Sequence, residues 1–438
     1  MAAPQKNTRE DDRLRLDGFE IEILKFVQEE VTSDQWKQWL RVPLEYAAAR
    51  ENLDLFTRLM DAGVVRALLE AGATDNVNVV FGPEDESTLH FAAAWGAEEA
   101  SKALTVAGAD PEMSDRRGYR SLHLAAEAGH DRVMSLFLLK GAQVGAKTCS
   151  GDTPLTLAAS KGHALRISEL LLGGADKDVG GDGNVTPLFK AASHNQLRVV
   201  KQLLTAGADR RRITDDGWSP LEIASNKGYA SIVKMFLETG SDVDAADDEG
   251  LTALHGAATI DGPVHDNGAV VRVLLEAGAD VSAKADQNLL RHPPLHLAVD
   301  ARTSSIRTIR ALLEGGVNIN SLVTYAETPL YVACCYSNGA AVELLLRWGA
   351  DETWSNDDGA IPIDAIGAND MRTTSWRRRD WLVLSRSCST RVARVSGEDS
   401  GGVDEETEDQ MMVDWRDLVD RLIGLEVDGL FRSVVGFL

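Results

Sequence analysis

Apolar residues recur along this chain in short blocks that predict pairs of helices. The string "TPLTLAAS", which begins at Thr153, places leucines and alanines on one face, and "RISELLLGGAD" repeats apolar residues at helical spacing up to Gly174. Thr153 offers a hydroxyl to cap the first helix, and Pro154 suits the first helical position, where no N–H is needed. Gly162 permits the left-handed backbone that ends a helix. The pattern predicts a helix, a reversal, a second helix and then an extended hairpin.

The blocks repeat with a constant period. The leucine of each block stands 33 residues after the previous one at Leu89, Leu122, Leu155, Leu188, Leu221 and Leu254. The equivalent residues further along are Leu295, Leu330 and Ile363, and Leu44 carries the same signature upstream. No single block can bury its own apolar face, so neighbouring blocks must stack into a solenoid.

The strings "SLHLAA", "TPLTLAA" and "TPLFKAA" resemble the T-P-L-H-x-A signature of the ankyrin repeat family, which has the same period. The resemblance covers residues 43–370. It implies an all-α ankyrin-repeat solenoid of about nine motif-bearing units, each a helix-turn-helix with a β-hairpin loop. The residue four before the motif leucine is usually glycine, as at Gly118, which suits a turn with positive φ. Arg291 and Ala326 depart from that rule and predict turns of another type.

One element breaks the period. "VVRALLEAGA", from residue 64, matches the second helix "VVRVLLEAGA", from residue 270, but no first helix precedes it. We therefore interpret residues 64–86 as a truncated half unit that lacks about 24 residues compared with a complete one. An internal deletion or an erroneous gene model, tolerated locally by the stack, explains it more simply than a hinge.

The two ends differ from the repeats. Residues 1–42 are expected to form an N-terminal helical cap, with helical extensions also following the solenoid. Residues 371–395 are a basic helical segment, and residues 396–410 are an acidic linker that we expect to be disordered. Residues 411–438 place apolar residues at helical spacing and predict C-terminal amphipathic helices, which either cover the last unit or dock elsewhere.

Composition narrows the partners and the compartment. The net charge of −23 disfavours nucleic acid and anionic membranes and favours a protein partner with a basic surface. No signal-peptide core or run of 18 apolar residues is present, so we expect no membrane span. The 4 cysteines form no CxxC pair, which indicates a reducing compartment, cytoplasmic or nuclear. We expect a monomer.

No motif predicts catalysis, a metal or a cofactor. The histidines that occupy the H of the repeat motif are expected to bridge backbone groups of the turns: His90, His123, His255 and His296. Cys388 and Arg394 have the spacing of a cysteine phosphatase, but the loop between them lacks the glycines of a phosphate cradle. A calcium-like loop from Asp176 has Pro187 where the bidentate Glu is required. The sequence therefore predicts a protein that is not an enzyme.

The resemblance implies recognition of a partner protein on a concave face built from hairpin tips and inner helices. The candidate protein-binding residues are those at the variable positions of that face: Trp95, Arg116, Arg117, Tyr119, Glu127, Lys161, His194, Asp215, Asp216, Trp218, Lys227, Asp248 and Glu249. The aromatic ones stand where repeat packing demands no ring, which suits anchors of binding. The basic residues early in this set and the acidic ones late in it predict a charge gradient along the face.

The main interpretation is thus a non-enzymatic scaffold for protein–protein interaction. The alternative is an adaptor or substrate receptor, for example for a ubiquitin ligase, that recruits a second machine through residues 411–438. A third hypothesis is an enzyme whose fold lies in the tails.

Overall fold

The computed structural model describes residues 77–81, 83–247, 250–259, 267–283, 292–300 and 306–365. The chain divides into two compact units, Met1–Trp381 and Leu382–Leu438, and every described residue belongs to the first. The N-terminal cap at 1–42, the half-unit helix and the segments 371–395, 396–410 and 411–438 lie outside the described residues and stay predictions.

The described residues form a hairpin followed by helix pairs. Strand β1 (Val80–Phe81) pairs antiparallel with β2 (Glu86–Ser87), so a hairpin at the end of the proposed half unit leads into the array. The first, inner helix and the second, outer helix of successive units are α1 (Thr88–Ala94) and α2 (Glu98–Val106), α3 (Ser121–Ala128) and α4 (Asp131–Leu139), α5 (Pro154–Lys161) and α6 (Ala164–Leu172), α7 (Pro187–Ser193) and α8 (Leu197–Thr205). They continue as α9 (Pro220–Asn226) and α10 (Ala230–Glu238), α11 (Ala253–Thr259) and α12 (Asn267–Glu276), α13 (Pro294–Asp300) and α14 (Ile306–Glu314), α15 (Pro329–Cys335) and α16 (Gly339–Arg347), and a further inner helix α17 (Pro362–Ala365).

The local signals in the sequence determine where these helices begin and end. At α5 the Thr153 hydroxyl accepts a hydrogen bond from the backbone N–H of Thr156 at 3.3 Å, and Pro154 is the first helical residue. Gly162 ends the helix with φ of +82°. The predicted cap, start and stop of this helix are confirmed, because each uses the backbone property for which its residue type is suited.

The core lies between neighbouring units. Every motif leucine in the described helices is buried, from Leu89 through Leu122, Leu155, Leu188, Leu221, Leu254 and Leu295 to Leu330. Each inner helix packs on the inner helices before and after it, and the outer helices contact one another in the same order. Alanine pairs such as Ala158–Ala159 are also fully buried, and their small side chains allow adjacent inner helices to approach closely. The fold is the predicted all-α ankyrin-repeat solenoid.

Side chains at the reversal between the two helices tie each unit to the one before it. The Nε2 atom of His130 donates to the carbonyl oxygen of Ala94 at 3.0 Å, and that of His163 donates to the carbonyl of Glu127 at 2.8 Å. Gln196 does the same to Ser160 at 3.2 Å. These bonds satisfy carbonyls that the ends of the inner helices leave without an intrahelical partner.

Candidate protein-binding face

The hairpin tips stack through a ladder of backbone hydrogen bonds. The N–H of Arg116 donates to the carbonyl of Glu84 at 2.9 Å, and the N–H of Cys149 donates to the carbonyl of Arg117 at 2.8 Å. The same contact joins Asp215 to Gly183 at 2.9 Å further along. Adjacent tips are therefore held in register. We call the surface formed by these tips and the C-terminal ends of the inner helices the hairpin face.

The candidates at the ends of the inner helices lie on the surface. Trp95 follows α1 immediately and is 48% exposed. Lys161, His194 and Lys227 occupy equivalent positions three units in succession, and all are exposed. None of these residues fills a core position, so each is accessible to a partner.

The candidates at the tip of the fifth unit are only partly on the surface. Asp215 and Asp216 are exposed, whereas Trp218 is half-buried and its backbone N–H donates to the Thr214 hydroxyl at 3.1 Å. Part of the Trp218 ring surface is therefore already used within the array. Asp248 and Glu249 lie outside the described residues.

The basic candidates are largely neutralised within the chain. Arg116 Nε lies 2.6 Å from Asp85 Oδ2, in the preceding tip. Arg117 lies 3.3 Å from Asp115 and 3.8 Å from Glu84. These pairs reduce the basic end of the predicted charge gradient, because the carboxylates stand directly beside the guanidinium groups.

Lys161 and Glu127 form an ion pair with each other, and Tyr119 contacts Arg117. Lys161 Nζ lies 3.2 Å from Glu127 Oε1, which links the ends of α5 and α3. The Arg117 guanidinium lies over the half-buried Tyr119 ring, 4.8 Å from its centroid. The structure thus brings Arg117, Tyr119 and the neighbouring carboxylates together at one tip.

The motif histidines connect the turns, as the sequence predicted. His123 Nδ1 accepts from the backbone N–H of Arg120 at 3.1 Å, and its Nε2 donates to the carbonyl of Ala146 at 2.9 Å. His90 Nε2 donates to the carbonyl of Tyr119 at 3.0 Å. Burial lowers the pKa of His90, His123 and His255 below the ordinary value, because a charged imidazole is poorly solvated there.

These pKa shifts predict that the array loses stability in mild acid. Above about pH 6.5 the three histidines are neutral in both the folded and the unfolded chain, so they make no pH-dependent contribution. Below that pH the unfolded chain takes up protons that the folded chain resists, so stability falls as pH falls. We expect the urea midpoint to be constant from pH 8 to 7 and to decrease from pH 6.5 to 5.5.

A variant isolates the histidine contribution. His123→Thr copies the residue that the next unit carries at this position, Thr156. The variant should show a shallower pH dependence than the wild type, whatever its stability at pH 8. An identical slope in both proteins would assign the acid effect to other groups.

One unit has a carboxyl group at the motif histidine position. Glu222 Oε2 accepts from the backbone N–H of Ser219 at 2.6 Å, and the Ser219 hydroxyl accepts from the N–H of Glu222 at 3.2 Å. Burial raises the pKa of Glu222. This capping box stabilises the start of the helix as the histidine does in other units. It therefore supports a structural role for the residue that follows the motif leucine in each unit.

The described residues show no grouping with the chemistry of a metal site. No set of three or more His, Cys, Asp or Glu side chains within them is arranged to hold a metal ion. Likewise, no helix in these segments is both long and apolar enough to cross a membrane. Cys388 and Arg394 lie outside the described residues.

Two exposed tyrosines were missed by the sequence interpretation. Tyr325 is 60% exposed at the tip before α15, and Tyr336 is exposed at the end of that helix. They occupy the same variable positions as Arg117 and Trp95 in earlier units. Extending the positional rule beyond residue 249 would have found both.

The family follows from a comparison with family models. The model of ankyrin repeats (3 copies) matches residues 44–148, 89–180, 122–212, 188–285 and 264–356, well over half the chain. The chain belongs to the ankyrin repeat family. Proteins of this family generally mediate protein–protein interaction and are typically not enzymes.

Two known proteins are similar to this chain over part of its length. The chain is 35% identical over 77 residues to the "Ankyrin repeat and LEM domain-containing protein 1 homolog" of Caenorhabditis elegans, which is 18% of this chain and 11% of that relative. It is also similar to the human ASB11 ankyrin repeat domain, with 28% identity and a TM-score of 0.47, covering 53% of this chain and 99% of that one. The chain thus spans a small part of its curated relative.

Proposed function

We propose that this ankyrin repeat chain is a non-enzymatic scaffold that binds a partner protein on its hairpin face. The observation that carries the proposal is Trp95, a large ring that is 48% exposed immediately after an inner helix and outside the core. A tryptophan supplies much contact area and loses little conformational entropy on binding. Lys161, His194 and Lys227 extend the accessible surface along the following inner helices.

A matched pair of tryptophans tests this proposal. Trp95→Ala removes a ring at the end of an inner helix, whereas Trp348→Ala removes one of similar exposure, 45%, at the end of the outer helix α16. We expect Trp95→Ala to weaken capture of the native partner at least tenfold, about 1.4 kcal/mol, while Trp348→Ala leaves it within twofold. Affinity capture with quantitative mass spectrometry, at matched melting temperature, measures the difference.

The opposite ranking would move the binding surface to the outer helices. Trp218→Ala is expected to have a smaller effect than Trp95→Ala, because part of the Trp218 ring is already buried.

The partner's basic surface, a monomeric state and a cytoplasmic or nuclear location remain predictions from the sequence.

The adaptor hypothesis depends on residues 411–438, which lie outside the described residues. It predicts that a fragment of residues 396–438 retains a second partner when the array is removed. Capture of no protein by that fragment would count against the adaptor role and leave the hairpin-face proposal intact.

A further inference from the structure

The tip of the eighth described unit keeps a bulky residue in a backbone conformation that suits glycine. Tyr325 has φ of +66° and ψ of +19°, and Ala326 has φ of +56°. The fourth unit makes the same turn with Gly183 at φ +66° and ψ +20° and Asn184 at φ +56°. Glycine and asparagine tolerate this region, whereas a tyrosine there is strained.

The ring of Tyr325 is not retained for packing, because it is 60% exposed. Strain that the core does not require is commonly found at contact sites. The carbonyl of Tyr325 accepts the N–H of Asp357 at 3.0 Å, which brings the tip of the next unit alongside. Asp357 and Asp358 are exposed there, and neither makes an ion pair with a described residue.

The first two tips show what is missing. There, the equivalent backbone bond joins Arg116 to Glu84, and the side chains of Arg116 and Arg117 approach Asp85 and Glu84. Arg117 also lies over the Tyr119 ring at 4.8 Å. Carboxylates and an aromatic face therefore surround guanidinium groups that the chain itself supplies. Tyr325, Asp357 and Asp358 likewise place an exposed ring and carboxylates in adjacent tips, but among the described residues no arginine forms an ion pair with either aspartate.

We propose that Tyr325, Asp357 and Asp358 form a docking surface for an arginine side chain of a partner protein. A guanidinium group stacks on the tyrosine ring and pairs with a carboxylate at the same time, which an ammonium group does less well. This inference rests on the proposed function, because a partner that lies on the hairpin face would reach this tip. It specifies the chemistry of one contact, an exposed arginine in the bound segment.

The test uses the full chain and a fluorescent peptide, Gly-Arg-Gly-Arg-Gly, with its neutral citrulline counterpart, in fluorescence polarisation at 0.15 M salt. The double variant Tyr325→Gly/Ala326→Asn copies the turn of the fourth unit, so it should fold well and melt at a higher temperature. We expect it to bind the arginine peptide at least fivefold more weakly than the wild type, and the citrulline peptide should bind neither protein.

A second pair of variants separates this surface from general attraction to an acidic protein. Asp357→Asn/Asp358→Asn should weaken arginine-peptide binding at least fivefold. Asp215→Asn/Asp216→Asn removes another exposed acidic pair, which lies beside Gly183 instead of an exposed tyrosine and whose nearby Trp218 is half-buried. This variant should change arginine-peptide binding less than twofold. Equal effects of the two acidic variants, or unchanged binding after Tyr325→Gly/Ala326→Asn, would overturn the inference.

Failure of the proposed function would look different. In that case Trp95→Ala would leave partner capture unchanged, whatever the peptide affinities. Failure of the present inference would appear in the peptide assay alone, with the Trp95 result intact.

Discussion

Replacing Phe137 with alanine is expected to destabilise the array by about 3–5 kcal/mol. The ring has 0% exposure in the outer helix α4, where Val133 and Met134 on the same helix are also buried. This helix packs on α3 within its unit and on α2 and α6 of the neighbouring units. Removing the ring forfeits its transfer from water and leaves a cavity that three surrounding helices cannot all close.

The matched control is Leu139→Ala, two residues further along the same helix. Leu139 is 86% exposed, so its removal creates no cavity and should change stability by no more than about 0.5 kcal/mol. Urea denaturation of both variants measures the difference. Comparable losses for Phe137→Ala and Leu139→Ala would mean that the side chain of Leu139 is covered, or that α4 is not part of the stack.

The range of the Phe137→Ala effect is also informative. In a solenoid each unit contacts only its neighbours, so stability is a sum of unit and interface terms. Amide exchange should therefore accelerate in α2 to α6 and remain unchanged in α15 and α16. Uniform acceleration along the chain would indicate that the whole array unfolds as one cooperative block.

The repeat period predicted the core because phase alone decides which residues face the next unit. Leu122 and Leu155 are one period apart and are both buried. The same reasoning gave His123 its structural role, since a motif position next to a turn meets the same backbone groups in every unit. These features required no knowledge of individual side-chain contacts.

The hairpin face was less predictable, because its chemistry depends on which side chains lie beside one another in adjacent tips. Arg116 was assigned to a partner, yet it pairs with Asp85, 31 residues earlier. Aligning consecutive tips by the 33-residue period places Arg117 opposite Glu84 but Arg116 opposite Pro83, so the period alone does not reveal the Arg116–Asp85 pair. The strain at Tyr325 was only partly foreseen: the loss of glycine at position 326 indicated another turn type, but not that a tyrosine would adopt positive φ.

A second large effect is expected at Gly118, where one hairpin tip meets the next. Gly118 has φ of +77°, and a Cβ atom built on it would lie 2.6 Å from the backbone nitrogen of Cys149. That nitrogen donates to the carbonyl of Arg117 at 2.8 Å, so it cannot withdraw without breaking the ladder between tips. Gly118→Ala should combine about 1–2 kcal/mol of left-handed backbone strain with about 1–3 kcal/mol from the overlap.

Gly141→Ala separates these two costs. Gly141 has a similar φ of +84°, but nothing lies within 4 Å of the Cβ position, so only the backbone strain applies. We expect Gly118→Ala to lower the free energy of unfolding by about 1–3 kcal/mol more than Gly141→Ala, as measured by urea denaturation. Amide exchange of Cys149 should also accelerate in Gly118→Ala alone, because its hydrogen bond to Arg117 lengthens. Equal costs with a protected Cys149 amide would contradict the prediction, because they would show that the tips accommodate the added methyl group without losing the hydrogen bond that joins them.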